Sequence, residues 1–315
     1  MNSQTRSQEQ TEIVDYDSGG YDYLGFWRDK DYEHWAETAA LRRMIPRLGR
    51  PQWFVDFGGG FGRNAEHYLQ RARHSVLVDY SRTNLTRAAQ ANRESIDQGR
   101  LFLVRADLNH LPFVDRAFDA AMVVRVLHHL PDLAQTLAEM GRTVDAKWLL
   151  DIPIKHHVFG VARATLRGHL NEVRGAQPRI TGDSRYPFYN FKLSTVRKQL
   201  VAQGWTTEVA ASVNNFRRWD RRLPHQAVQT LSPVVRALEL GLQRAGRGWW
   251  GPSQVVLATR RPGATTSRPT SDDFSDRLRC PNCSASLRWS DKTAECTGCS
   301  RSYQQVDGYW DFAGS

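Results

Sequence analysis

All four cysteines of the chain fall in one short stretch, as Cys280-x2-Cys283 and Cys296-x2-Cys299. Each x2 loop lets two thiolates reach one ion, so two such pairs fit a tetrahedral zinc site. Four thiolates leave no open position for water or substrate, which makes the expected zinc structural. With the cysteines so committed, a covalent thiolate mechanism is not expected, and no C-x3-C-x2-C cluster for an iron–sulfur centre is present. A second stretch, Trp53 to Asn64 (WFVDFGGGFGRN), carries Asp56 and then Gly58, Gly59, Gly60 and Gly62. A turn without side chains lets a ligand approach the backbone, and N–H groups at a following helix favour an anionic part of that ligand. A third feature is the pair His128 and His129, whose basicity near neutral pH suits orienting or deprotonating an acceptor. A packed or loop-capping pair is the other reading of these histidines. His156 and His157 form a second such pair.

The surrounding pattern says which elements hold these groups. Trp53-Phe54-Val55 reads as a buried strand and Asn64 to Arg71 as the start of a helix, together the first half of a nucleotide-binding βα unit. The next strand, Ser75 to Val78, ends at Asp79, and Ser81 is placed to cap the helix after it. An acid at the end of a second strand is suited to accept hydrogen bonds from a ribose diol. Gly60-x-Gly62-x-x-Ala65 also fits a dinucleotide turn, and an ordinary glycine-rich turn is the plainest alternative. Further strands are expected at Leu101–Val104, Ala120–Val126, Trp148–Ile152, Thr206–Val213 and Gln254–Thr259. Helices are expected over Tyr32–Leu48, over Thr195–Gln203 with Ser194 as cap, and across most of 223–247. Residues 155–190 read as irregular, and 262–276 as a polar linker.

The spacing D-x-G-G-G-x-G from Asp56 to Gly62 resembles motif I of the class I S-adenosylmethionine (SAM) dependent methyltransferases. Downstream, Leu111-Pro112-Phe113 through Phe118-Asp119 and then Leu127-His128-His129-Leu130-Pro131 resemble the matching stretch of small methyltransferase domains, in the same order from Trp53 to Pro153. The resemblance implies an α/β, Rossmann-like doubly wound fold with a seven-stranded, mostly parallel sheet. It implies SAM at Asp56, Gly58, Gly60, Gly62, Asp79, Tyr80, Asp107 and Leu108, with Asp107 accepting from the adenine amino group. Capping of its own turn is the other role open to Asp107. The resemblance also implies a pre-core helix acting as a lid, with Tyr21, Tyr23 and Arg28 able to cover the site; core packing of the aromatic residues is the other reading. It puts His128 and His129 where the acceptor cavity opens, as the catalytic candidates. One departure is the absence of a proline-glycine pair before the fifth strand, where Thr143-Val144-Asp145-Ala146-Lys147 stands. The end of strand four also lacks an N-P-P-Y type motif for exocyclic amino groups. The cysteine segment, with Tyr303, Asp307-Gly308-Tyr309 and Phe312, resembles the zinc ribbons of ribosomal-RNA guanine methyltransferases and of the small activator of translation-related methyltransferases.

Charge bears on partners. Residues 155–261 hold 18 Lys and Arg against 5 Asp and Glu, a balance of +13, while the whole chain carries +10. A basic surplus confined to one region suits RNA, and a solvated helical surface is the plainer account. The expected organisation is a mobile tail over 1–20, a methyltransferase domain over 21–261, a linker over 262–276 and a zinc ribbon over 277–315. The expected activity is methyl transfer by in-line displacement to ribosomal or transfer RNA. A small-metabolite acceptor is the alternative, and a non-catalytic SAM-binding protein the third reading. The N-terminus has no apolar h-region and no apolar run reaches membrane length, so a soluble cytoplasmic protein is expected.

Overall fold

The computed structural model describes Asp17, Gly25, Trp27 and residues 30–182, 187–263 and 268–314. Apart from Asp17, the tail expected over 1–20 lies outside these residues, as do Tyr21, Tyr23 and Arg28. Five strands form the parallel part of the sheet: β1 (Trp53–Phe57), β2 (His74–Asp79), β3 (Leu101–Arg105), β4 (Phe118–Val123) and β5 (Val144–Pro153). They lie in the order β3-β2-β1-β4-β5. β9 (Ser253–Arg260) runs antiparallel to β5, and β8 (Trp205–Val213) closes that side antiparallel to β9. A central strand covered on both faces reads as a nearly continuous apolar run, and every residue of β1 is buried, Asp56 being its one polar member. Trp53, Val55 and Phe57 point to one core cluster and Phe54 to the other, following the two-residue period of a strand.

The helices follow from the same physics. α1 (Asp31–Met44) leads into a short 3-10 turn, Ile45–Leu48, and packs Tyr32, Ala36, Ala40, Leu41 and Met44 on the sheet. α2 (Ala65–Leu69) follows the glycine turn. α3 (Arg82–Ala91) is capped as expected, with the Ser81 hydroxyl accepting from Asn84 N at 3.1 Å. α4 (Arg93–Asp97) precedes β3, and α5 (Leu133–Thr143) runs straight into β5 with no intervening loop. That junction is where the proline-glycine pair was missed. Arg260 replaces it, donating to the carbonyls of Asp145 (2.9 Å), Gly141 (2.6 Å) and Val144.

The segment expected to be irregular, 155–190, instead contains α6 (Val158–Leu166), α7 (Leu170–Arg174) and a hairpin of β6 (Arg179–Thr181) with β7 (Phe188–Asn190). These elements are short, so no periodic pattern accumulates, and the cap of α6 is His157, which accepts from Gly160 N. α8 (Leu193–Ala202) starts at Leu193 and Ser194 is not its cap, because Leu193, Val196 and Leu200 must face the core together. α9 (His225–Ala245) is the inserted helix between β8 and β9.

The largest correction concerns the sheet, which among the described residues has eleven strands where seven plus a separate ribbon were expected. β10 (Leu287–Ser290), β11 (Thr293–Cys296), β12 (Ser302–Val306) and β13 (Tyr309–Asp311) form an antiparallel meander, and β13 pairs parallel with the outer edge of β3. The pairing joins Trp310 to Val104 and Asp311 to Arg105. The Arg105 guanidinium meets the Asp311 carboxylate at 3.1 Å, and Phe312 N donates to Arg105 O at 2.9 Å. An exposed edge of a parallel sheet offers unpaired backbone groups, and the cysteine segment covers this one. Part of the stretch expected as a polar linker is anchored as well. Phe274 is buried and stacks on Phe102 with ring centroids 4.3 Å apart. Arg277 lies 4.4 Å over the Trp53 ring and donates to Ser271 O at 2.6 Å.

Candidate active site

The glycine turn joins the end of β1 to α2 and folds against β2. Gly58 N and Gly59 N both donate to Val78 O, at 2.7 and 3.1 Å. A Cβ on Gly58 would sit 2.3 Å from Val126, and Gly62 holds a left-handed φ of 80° with Asn92 2.8 Å from where a Cβ would be. The turn is therefore a cradle that side chains would fill. Asp79 closes it from the end of β2, accepting from Gly60 N at 2.8 Å through one oxygen and from Ser81 N at 3.0 Å through the other. Asp17 reaches the same edge, where it accepts from Ser81 Oγ at 2.6 Å and Arg82 N at 2.7 Å.

Asp56 lies behind the cradle. It is buried, and the hydroxyl of neighbouring Tyr68 faces it, although the two do not meet in a well-formed hydrogen bond; its Oδ2 has no other partner among the described residues. Burial, and then the negative charge of Asp79, push the Asp56 carboxyl up to about 8. Asp79 is also raised, first by burial. Two carboxyl groups beside a glycine cradle, one with an orphaned oxygen, form a donor-poor site. They fit an adenosine cofactor that brings a ribose diol and an ammonium group. The other expected cofactor residues are less open. Asp107 accepts from Asn109 N at 2.8 Å and from His110 Nδ1 at 3.1 Å, so its carboxylate caps its own turn. The Tyr80 ring lies under Arg105, and Leu108 is partly buried against the core.

Over the ends of β1 and β4, sequence reasoning missed a charged lid. Glu37 on α1 is buried and pairs with Arg63, which follows Gly62, and with Arg125 after β4 at 2.8 Å. Both guanidinium groups stack on Trp27, at 3.9 and 4.8 Å. Burial opposes the charge on Glu37, but Arg63 and Arg125 outweigh it and bring the carboxyl down to about 2. Arg125 has a left-handed φ of 59°, and its N–H faces Asp151 Oδ2 of β5 at 3.3 Å. The only available signal was that Glu33 and Glu37 share the buried face of α1. Charged residues on such a face need partners, and sequence spacing does not say where the partners lie.

His128 and His129 sit on the 3-10 turn after β4. The structure brings them together, with ring centroids 3.9 Å apart, and Phe188 of β7 stacks on His128 at 4.0 Å. Burial lowers both, His129 to about 4, so both rings are neutral near pH 7. His157 caps α6 and is also lowered to about 4, first by burial.

The four cysteine sulfurs lie within 4.8 Å of one another. Cys280 and Cys299 are 3.7 Å apart and Cys283 and Cys296 are 3.3 Å apart. Zn–S bonds of about 2.3 Å in a tetrahedron require sulfurs about 3.8 Å apart, so the cluster is compatible with a zinc site. The N–H groups of Gly298 and Cys299 both point at Cys296 Sγ at 3.3 Å, the outer support that thiolates need.

Residues 55–147 match the family described as a methyltransferase domain. Over these residues the core is similar to a SAM-dependent methyltransferase domain. Among curated relatives, an O-methyltransferase, cnsE, of Penicillium expansum is 26% identical over 140 residues, covering 40% of this chain and 48% of the relative. A demethylmenaquinone methyltransferase of Thermobifida fusca is 28% identical over 88 residues, covering 28% and 37%. The chain thus spans about half or less of the length of the curated relatives it matches. Among solved structures, the 1,6-didemethyltoxoflavin-N1-methyltransferase of Burkholderia thailandensis superposes with a TM-score of 0.52 at 17% identity, covering 84% of this chain and 94% of that one. That likeness supports the fold alone, a Rossmann-like one with a large, mostly parallel sheet. Among the described residues, no helix is long and apolar enough to cross a membrane.

Proposed function

We propose that this chain transfers the SAM methyl group to a small-molecule acceptor. The observation that carries the cofactor half is Asp79 held across the glycine cradle by Gly60 N, with the orphaned oxygen of Asp56 behind it. SAM, when bound, supplies an electrophilic methyl group on a sulfonium. Asp79 would take the ribose hydroxyls, the Gly58–Gly62 turn the methionine part, and Asp56 a positively charged group. The acceptor would enter over the ends of β4 and β5, where Arg125, Asp151 and the His128–His129 pair converge. In-line displacement needs the nucleophile fixed in direction, and a crowded, rigid pocket provides that. Neutral histidines there can accept a proton from a hydroxyl or amine acceptor.

The acceptor class rests on two supports. The curated relatives named above include an enzyme acting on demethylmenaquinone, and none of their names points to RNA. Part of the basic surplus of 155–261, which suggested RNA, is engaged by the fold: five of its 18 Lys and Arg serve as examples. Lys155 donates to Glu172 O and Gln177 O, Lys192 to Arg174 O, Arg197 to Thr207, Arg221 to Glu33 and Arg260 to the α5–β5 junction. RNA binding through this region remains the second reading, carried by its charge alone. The cysteine cluster, in our reading, holds one structural zinc that secures β13 on β3. The test is transfer of labelled methyl from SAM, with a metabolite extract and total RNA as separate acceptors. Label in small molecules that disappears in Asp79→Ala supports the proposal. Label in RNA alone overturns the acceptor class.

A further inference from the structure

The strand β13 ends at Asp311, and its parallel pairing sets Asp311 opposite Arg105, the last residue of β3. The turn after β13 holds the Asp311 carboxylate in one orientation, because Oδ1 accepts from Ala313 N at 3.1 Å and from Gly314 N at 2.9 Å. A Cβ at position 314 would stand 3.0 Å from Asp311 Oδ2, and glycine there keeps that side of the carboxylate clear. Two guanidinium groups from two elements meet this carboxylate. Arg105 Nη1 donates to both of its oxygens, at 3.1 and 3.2 Å, and Arg82 at the start of α3 reaches Oδ2 at 3.5 Å.

Arg105 carries that contact inward. Its side chain is 10% exposed, and a guanidinium so enclosed needs a carboxylate partner. Its Nε donates to Tyr80 O at 2.8 Å, and its Cζ lies 4.8 Å from the centre of the Tyr80 ring. Tyr80 stands between Asp79, which closes the glycine cradle, and Ser81, which caps α3. The next N–H after β3, that of Ala106, donates to Asp79 O at 3.3 Å. Two successive carbonyls, those of Asp79 and Tyr80, are thus tied to the end of β3. The second of these ties is backed by a carboxylate 206 residues further along the chain.

We propose that Asp311 is a positioning residue for the cofactor: it holds Arg105 against Tyr80 and so fixes the Asp79–Ser81 turn in the form that takes SAM. The assignment rests on the methyltransferase reading above and adds a requirement to it, that the cysteine segment complete the cofactor side of the site. Binding groups must be held to within about 0.5 Å of their productive positions, and packed, hydrogen-bonded neighbours supply that hold. Without the Asp311 carboxylate, an enclosed guanidinium gains by turning to water, and Tyr80 O loses its donor. The pair with Arg82 is solvent-exposed on the arginine side and contributes little.

The test titrates S-adenosylhomocysteine into the full chain by calorimetry. Asp311→Ala is expected to weaken binding at least fivefold. Asp311→Glu, which restores a carboxylate, should return it to within twofold of wild type. Arg105→Met should show the same loss as Asp311→Ala, and adding Asp311→Ala to Arg105→Met should cost less than a further twofold, as two residues acting in series require. If Arg105→Met does not fold, the two Asp311 variants decide alone. Trp289→Ala is the structural control. Its ring meets Trp310 edge-on at 4.9 Å, but it lies on β10, the strand of the cysteine segment farthest from β3. It should lower the urea midpoint and leave S-adenosylhomocysteine affinity within twofold. A loss below fivefold for Asp311→Ala, no recovery in Asp311→Glu, full additivity with Arg105→Met, or an equal loss for Trp289→Ala overturns the positioning role. Failure of wild type to bind S-adenosylhomocysteine overturns the methyltransferase reading and the positioning role with it.

Discussion

Replacing Phe274 by alanine should destabilise the methyltransferase core, although Phe274 lies in a stretch whose composition reads as linker. The ring is 7% exposed, stacks on Phe102 at 4.3 Å with planes 10° apart, and faces Trp53 at 6.2 Å. Truncating a buried Phe costs about 3–5 kcal/mol, of which ring stacking contributes roughly 0.5–1.5 kcal/mol. A free linker would give about 0.5 kcal/mol or less, the range of surface substitutions. With a urea m-value of about 3 kcal/mol/M for a chain of this size, the midpoint should fall by about 1 M or more. Urea unfolding followed by tryptophan fluorescence reads this directly, since Trp53 is one of the partners. Val306→Ala, at a side chain 39% exposed, serves as the control and should leave the midpoint in place. A chain ending at Pro269 removes Phe274, the Arg277–Trp53 contact and β13 together, and should aggregate or lose S-adenosylhomocysteine binding. A midpoint shift for Phe274→Ala below about 0.2 M, or a truncated chain with unchanged stability, would refute the claim that this segment belongs to the core.

Other expectations are briefer. Asp79→Ala should weaken SAM binding by about 2 kcal/mol or more, because charge-assisted hydrogen bonds to the ribose are lost; titration calorimetry measures it. Asp56 has a carboxyl raised to about 8 in the folded chain, against about 3.9 unfolded, so the ligand-free protein should lose stability as pH rises from about 4 to 8. The span corresponds to at most about 6 kcal/mol, and Asp56→Asn should flatten the profile; an unchanged pH slope argues against it. Glu37 shows the opposite sign, with a carboxyl near 2: its contribution is present above about pH 4.3 and disappears as pH falls through about 2. Glu37→Gln leaves Arg63 and Arg125 without their carboxylate and should cost about 3–5 kcal/mol in thermal or urea unfolding at pH 7. Purified protein should contain one zinc per chain, and Cys296→Ser should lose it on metal analysis. Because β13 pairs with β3, that loss should also lower the unfolding midpoint of the core.

Sequence alone determined the strand–turn–helix around Asp56 to Gly62, the position of Asp79, the cap at Ser81 and the four-thiol cluster. Each of these depends on residues close together in the chain, or on a spacing that one ion or one turn imposes. The alternation of Trp53, Val55 and Phe57 against Phe54 likewise needs only the period of a strand. Tertiary structure alone decided that the cysteine segment continues the sheet, because the edge of β3 and the strand that covers it are about two hundred residues apart. It also decided the partners of Glu37 and Glu239. A buried carboxylate is stable only when cations or N–H groups from other elements reach it. Arg63, Arg125, Asn214 and Asn215 do so across 24 to 88 residues of chain.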